Sequence, residues 1–218
     1  MLNKTLLLII FSFLTTLTKQ TLNGIDVSVY QGKIDWDEVK KKKDFAIIRM
    51  GYGHSGKDDY FETNYKNAKK AGVPIGAYLY AHAKTSSEAT EEAKFALKLL
   101  KGKKFEWPIY YDIEGKALDG KVNDVVETFC TVLEKAKYYC GFYTSASPLN
   151  SKFNSKVKKK YAVWVAHYGV DKPGYDGNWG IWQYSSKGSV SGIKGNVDLD
   201  KGKINYEKSI KENHLNGY

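Results

Sequence analysis

Short apolar runs recur along this chain, and each of the first five gives way to a segment with helical periodicity. Gly24 to Tyr30, Phe45 to Met50, Pro74 to Tyr80, Pro108 to Gly115 and Gly141 to Thr144 read as strands. Helices fall at Asp35 to Lys43, Tyr60 to Ala71, Ser86 to Leu100 and Val122 to about Lys137, with a short one from Pro148. Asp35 can cap the first, and Gly72 stops the second. Beyond Pro148 the rhythm changes: Tyr161 to Ala166, Trp179 to Tyr184 and Gly195 to Leu199 are strands joined by Gly-rich and Lys-rich loops. Continuous apolar strands alternating with helices build a parallel sheet with right-handed crossovers. Five β/α units followed by three strands supply enough strands to close an α/β barrel, whose site lies at its C-terminal mouth.

The fourth strand carries the most chemistry. Pro108-Ile109-Tyr110-Tyr111-Asp112-Ile113-Glu114-Gly115 is an aromatic run ending in two acids. In an extended strand Asp112 and Glu114 share a face, about 6 to 7 Å apart along the chain. Crowding and partial burial raise the proton affinity of one of them, which keeps a general acid beside an ionised partner near neutral pH. Barrel closure joins the first strand, with Asp26, to the last, with Asp198. Four acids then line one mouth.

The first residues stand outside this pattern. Lys4, an apolar core from Leu6 to Leu14 and a polar stretch up to Lys19 read as a secretory signal over residues 1–19, with an uncleaved anchor as the alternative. The core is too short to span a bilayer, so no stable membrane insertion is expected. Residues 20–218 suffice for one barrel domain, expected as a monomer, released outside the cell or into a digestive vacuole or lysosome.

A net charge of +10 suits an anionic polymer as partner. The runs Lys40 to Lys43 and Lys156 to Lys160 lack the aromatic interleaving of a nucleic-acid groove, so no nucleic acid is expected. Cys130 and Cys140 meet an oxidising compartment and are expected to form a disulfide; a helix continuing to Tyr138 would hold them apart as two buried thiols instead. His54, His82, His167 and His214 lack metal-ligand spacing, so neither metal nor cofactor is expected; His167, at a strand end, is the one placed to touch substrate. No phosphate loop or serine elbow is present in the sequence.

The ordered set Gly24-Ile25-Asp26-Val27-Ser28 with Gln31-Gly32, Ile48-Arg49, Gly76-Ala77-Tyr78, Asp112-x-Glu114, Tyr143-Thr144, Trp164-Val165-Ala166, Trp182-Gln183-Tyr184 and Val197-Asp198 resembles the family 25 glycoside hydrolases, the Chalaropsis-type lysozymes. The resemblance runs from Gly24 to about Asp200. It implies a flattened, TIM-like barrel and N-acetylmuramidase activity on bacterial peptidoglycan. By matching position, Glu114 looks like the proton donor, Asp26, Asp112 and Asp198 like supporting acids, and Tyr78, Tyr111, Trp164 and Trp182 like substrate contacts. A chitinase-like glycosidase would want a further acid where Tyr110 stands. An inactive glycan-binding barrel would have little reason to crowd carboxylates.

Overall fold

The computed structural model describes residues 21–218, so the expected signal lies outside the described residues. Nine strands form one sheet: β1 (Leu22–Val27), β2 (Phe45–Tyr52), β3 (Gly56–Lys57), β4 (Ile75–Tyr80), β5 (Ile109–Asp112), β6 (Cys140–Ser145), β7 (Ala162–Ala166), β8 (Ile181–Gly188) and β9 (Val197–Gly202). They run β1-β9-β8-β7-β6-β5-β4-β2, and β1 pairs with β2 to close an eight-stranded barrel, leaving β3 as a flap on β2. From β1 through β2 and β4 to β8 the barrel is parallel; β9 runs against both β8 and β1. That reversal matters for function, because the start of β9 meets the C-terminal ends of the others.

Helices α1 (Trp36–Lys40), α2 (Phe61–Lys70), α3 (Ser86–Leu100), α4 (Val122–Lys135), α5 (Ala146–Ser151), α6 (Ser155–Lys160) and α7 (Glu207–Glu212) complete the fold. Asp35 accepts from the backbone N–H groups of Asp37 and Glu38, fixing the start of α1. Thr85 and Glu88 form a reciprocal capping box on α3. The sequence shows neither α6 nor α7. Each buries a single apolar residue, Val157 and Ile210, too few to generate a helical period. β1 is also shorter than its apolar run, because Ser28 leaves the strand to cap a 3-10 turn at Val29–Gln31.

The sheet separates two apolar layers. Outside, residues such as Ile25, Ile48, Leu79 and Tyr111 pack against α2, α3 and α4 residues such as Ala68, Leu100 and Phe129. Inside, Phe45, Trp107, Tyr110, Tyr143, Trp164 and Tyr206 fill the barrel. Trp164 sits among three tyrosines, with ring centroids 4.7 Å from Tyr143, 5.3 Å from Tyr110 and 5.9 Å from Tyr78. These rings fill the interior and form a floor under the mouth. Gly141 permits this packing: a Cβ there would lie 2.5 Å from the Ala162 carbonyl oxygen and 2.7 Å from the Tyr110 ring.

Cys130 and Cys140 are joined in a disulfide with Cα atoms 5.4 Å apart. The helix that would have separated them stops at Lys135; Lys137 then takes a positive φ of 66° and the chain folds back into β6.

Candidate active site

Four acids converge at the mouth by simple strand geometry. Asp26 lies near the end of β1, opposite Asp198 in the β1–β9 register. Asp112 is the last residue of β5, and Glu114 follows in extended backbone before the 3-10 turn at Gly115–Asp119. Asp112, Glu114 and Asp198 line one cleft of about 700 Å³, with Arg49, Tyr78 and Tyr80. Glu114 also lines a second cleft of about 460 Å³, formed by Tyr143, Ser145, Asn150, His167 and Tyr168. It therefore stands at the junction of two halves of a groove.

Burial dominates the electrostatics. It raises the proton affinity of Asp112 well above the usual carboxylate range, Glu114 adding to the effect and Arg49 opposing it. Glu114 is pushed up by burial and by Asp198. Asp198 is raised by burial to about 6. Asp26 is raised by burial and then by Asp200 and Asp198, while Gln183 opposes the shift by donating Nε2–H to Asp26 Oδ2 at 2.7 Å. The cluster thus retains protons at a pH where isolated carboxyls are ionised.

Asp200 is a fifth acid that the sequence reading left out. It is wholly buried below Asp198 on the same face of β9, opposite Gly24 on β1 and Gln183 on β8. Trp164 donates Nε1–H to its Oδ1 at 2.9 Å, and burial pushes its carboxyl up to about 8. The signal was present: Asp198-x-Asp200 repeats the alternation of Asp112-x-Glu114. Gln183, Tyr143 and Tyr168 were also missed as site residues. Both phenols donate to Gln183 Oε1, at 2.9 and 2.5 Å, so its amide nitrogen is the end that faces Asp26.

The four aromatic candidates divide. Tyr78 lines the first cleft. Trp164 is 1% exposed and serves as floor and as donor to Asp200. Tyr111 is not at the mouth: one residue out of phase with Asp112, it points to the helix layer, stacks on Phe129 at 3.8 Å and donates its hydroxyl to Glu92 at 2.6 Å. Trp182 is likewise out of phase with inward-facing Gln183. It packs in the outer layer and donates Nε1–H to the His167 carbonyl at 2.9 Å. His167 lines the second cleft, its Nδ1 accepting from the Gly174 N–H at 2.9 Å. At the rim of the first cleft Tyr30 is 82% exposed and lies over the Arg49 guanidinium at 4.9 Å. Arg49 is itself fixed by an ion pair to buried Asp58 at 2.8 Å.

A protonated carboxyl facing a groove, beside acids able to hold negative charge, is the equipment for protonating a glycosidic oxygen and stabilising an oxocarbenium-like transition state. The family model described as glycosyl hydrolases family 25 matches residues 25–193. The chain belongs to that family. This family 25 glycoside hydrolase is 34% identical over 201 residues to lysozyme M1 of Streptomyces globisporus, covering 83% of this chain and 67% of that protein. It is 32% identical over 184 residues to the autolytic lysozyme of Clostridium acetobutylicum, covering 83% of this chain and 55% of that protein. Among solved structures, the modular autolysin LytC of Streptococcus pneumoniae in complex with a synthetic peptidoglycan ligand superposes with a TM-score of 0.72 at 28% identity, over 83% of this chain and 46% of that one. The closed eight-stranded α/β barrel agrees with the architecture expected from the strand and helix order, and it is consistent with the flattened TIM-like form that the resemblance implied.

Proposed function

We propose that this glycoside hydrolase is a secreted lysozyme, an N-acetylmuramidase that hydrolyses the β-1,4 bond between N-acetylmuramic acid and N-acetylglucosamine in bacterial peptidoglycan. The observation that carries the reading is the position of Glu114 at the junction of the two clefts, where a linkage lying along the groove passes the carboxyl. Glu114 acts as the acid that protonates the departing oxygen. Burial and the neighbouring Asp198 keep its proton in place for that step. Asp112, on the same strand end, orients the substrate's own acetamido group so that its oxygen closes on the anomeric carbon as the bond breaks. Asp112 lines the cleft beside Glu114, and among the described residues its buried Oδ1 has no hydrogen-bond donor. Water then opens the cyclic intermediate, with Glu114 taking the proton back. Asp26 and Asp198 balance the charge.

Residues 20–218 act as a single catalytic domain and as a monomer, the signal over residues 1–19 sending it to the cell exterior or to a digestive lumen. Product analysis tests the reading: digestion of peptidoglycan should expose N-acetylmuramic acid at the new reducing ends. N-acetylglucosamine at those ends, or cleavage of chitin in preference to peptidoglycan, would overturn it.

A further inference from the structure

The five β/α units cover the barrel only part of the way round, and β8 and β9 have no helix between them. Their outer face and the adjoining groove carry a set of lysines seated on aromatic rings. Lys201 lies over Trp182 at 5.5 Å and over Tyr184 at 5.1 Å; Lys203 lies over Trp179 at 4.9 Å. Around the groove, Lys158 lies over Tyr175 at 5.8 Å and Lys160 over Tyr161 at 4.7 Å. The Lys156 to Lys160 run that lacks aromatics in the sequence thus gains them in the fold. The groove encloses about 670 Å³ between α6, the start of β7 and the segment before β8, at the end of the barrel opposite the acids.

We propose that this groove and the adjoining β9 face bind a phosphodiester-bearing anionic polymer of the bacterial wall, a polyol-phosphate chain, and that they act as an exosite. Charge supports that occupant. Among the described residues none of Lys158, Lys159, Lys201 and Lys203 forms an ion pair, while Lys160 is partly neutralised by Glu134 at 3.4 Å and Asp176 is the one acid on the groove wall. The rings hold ammonium groups over their faces, so those faces are closed to a neutral sugar while the cations are ordered for phosphate. Lys201 on β9 and Lys203 just beyond its end each lie over rings of β8 or the segment before it, which presents a row of charges and not a single pocket. Location supports the role. A polymer held at the far end of the barrel leaves the catalytic groove free for the glycan.

The test reads binding, so its failure is distinct from failure of the muramidase reading. Binding of the Glu114→Gln protein to Gram-positive wall sacculi is measured over a salt series, before and after hydrofluoric acid strips the phosphodiester polymers. Stripping should weaken binding at least about tenfold, and the triple change Lys159→Gln, Lys201→Gln, Lys203→Gln should flatten the plot of log affinity against log salt by roughly two to three units. The single exposed change Lys159→Gln should flatten it by about one, and free polyglycerol phosphate should compete with the unchanged surface. Equal binding to stripped walls, or competition by single-stranded DNA but not by polyglycerol phosphate, overturns the proposal.

Discussion

Gln183 on β8 donates to Asp26 on β1 at 2.7 Å, across a sequence separation of 157 residues. It is the one side chain that opposes the rise in Asp26 proton affinity, and two tyrosines fix which end of its amide faces the acid. Gln183→Leu removes that donor while keeping the volume. Asp26 should then hold its proton to a higher pH, moving the acid limb of the pH–rate profile upward by about one unit, since one hydrogen bond to a charged group is worth about 1.5–3 kcal/mol. A limb that stays in place would separate Asp26 from the titration that governs activity.

Replacing the proposed acid is the direct test of chemistry. Glu114→Gln preserves shape and removes the proton, so clearing of wall suspensions should fall by at least roughly 10²-fold while the circular dichroism spectrum and melting temperature remain those of the parent. Glu114 makes no side-chain hydrogen bond or ion pair within the described chain, so little stability should be lost with it. Near-parental clearing would move the acid elsewhere in the cluster.

Much of this site was legible because barrel geometry turns sequence order into position. Apolar runs mark the strands, and acids at or near strand ends meet at the mouth. The phase of the pleat was the harder matter. Tyr111 and Trp182 are aromatic residues adjacent to inward-facing site residues, but a strand sends adjacent side chains to opposite faces, and the buried carboxylate that captures the Tyr111 hydroxyl lies nineteen positions away at Glu92. Asp200 was readable by the same alternation. Its hydrogen bond from Trp164 was not, since that contact depends on a register that closes only in three dimensions. The pairing of the cysteines turned on where α4 ends, a boundary that periodicity fixes only to within a few residues.

Asp200 gives the fold a pH signature of definite sign. Its carboxyl is raised by burial to about 8, against an unfolded value of about 3.9, so the native state binds the extra proton between those limits. Stability is therefore greatest at the acid end of that window and declines as pH rises through it, with Asp198, raised to about 6, contributing in the lower part. Calorimetry of the parent from pH 4 to pH 8 should show a falling melting temperature beyond what exposed groups produce. Asp200→Asn, which cannot ionise, should flatten the upper half of that decline. An unchanged slope would mean that Asp200 titrates alike in both states.

The disulfide joins Cys130 in the second half of α4 to Cys140 at the start of β6, with ten positions separating its cysteines. Loop-closure entropy for a loop of that length amounts to about 2–3 kcal/mol. Both sulfurs are in buried residues, so Cys130→Ala with Cys140→Ala is preferred to serine, which would bury two hydroxyls. The double variant should lose about 2–3 kcal/mol in urea unfolding and retain its specific activity when folded, because the bond lies on the helix side of β6. A loss of activity without a loss of stability would tie the bond to the site.

Tyr111 separates a structural aromatic from a substrate contact. Its hydroxyl is one of the donors that hold buried Glu92, which also accepts from the His82 backbone N–H at 3.1 Å. Burial raises the proton affinity of that carboxyl, and the Tyr111 hydrogen bond opposes the rise. Tyr111→Phe keeps the stack on Phe129 and deletes only the donor. The expected cost is about 1–3 kcal/mol of stability, read by urea unfolding at neutral pH and shrinking as the medium is acidified and Glu92 takes up a proton of its own. KM and kcat on soluble peptidoglycan fragments should stay within about twofold, whereas Tyr78→Phe, at the wall of the first cleft, should raise KM. A rise in KM for Tyr111→Phe equal to that for Tyr78→Phe would bring Tyr111 back to the groove and reverse the strand phase on which the whole placement of Asp112 and Glu114 depends.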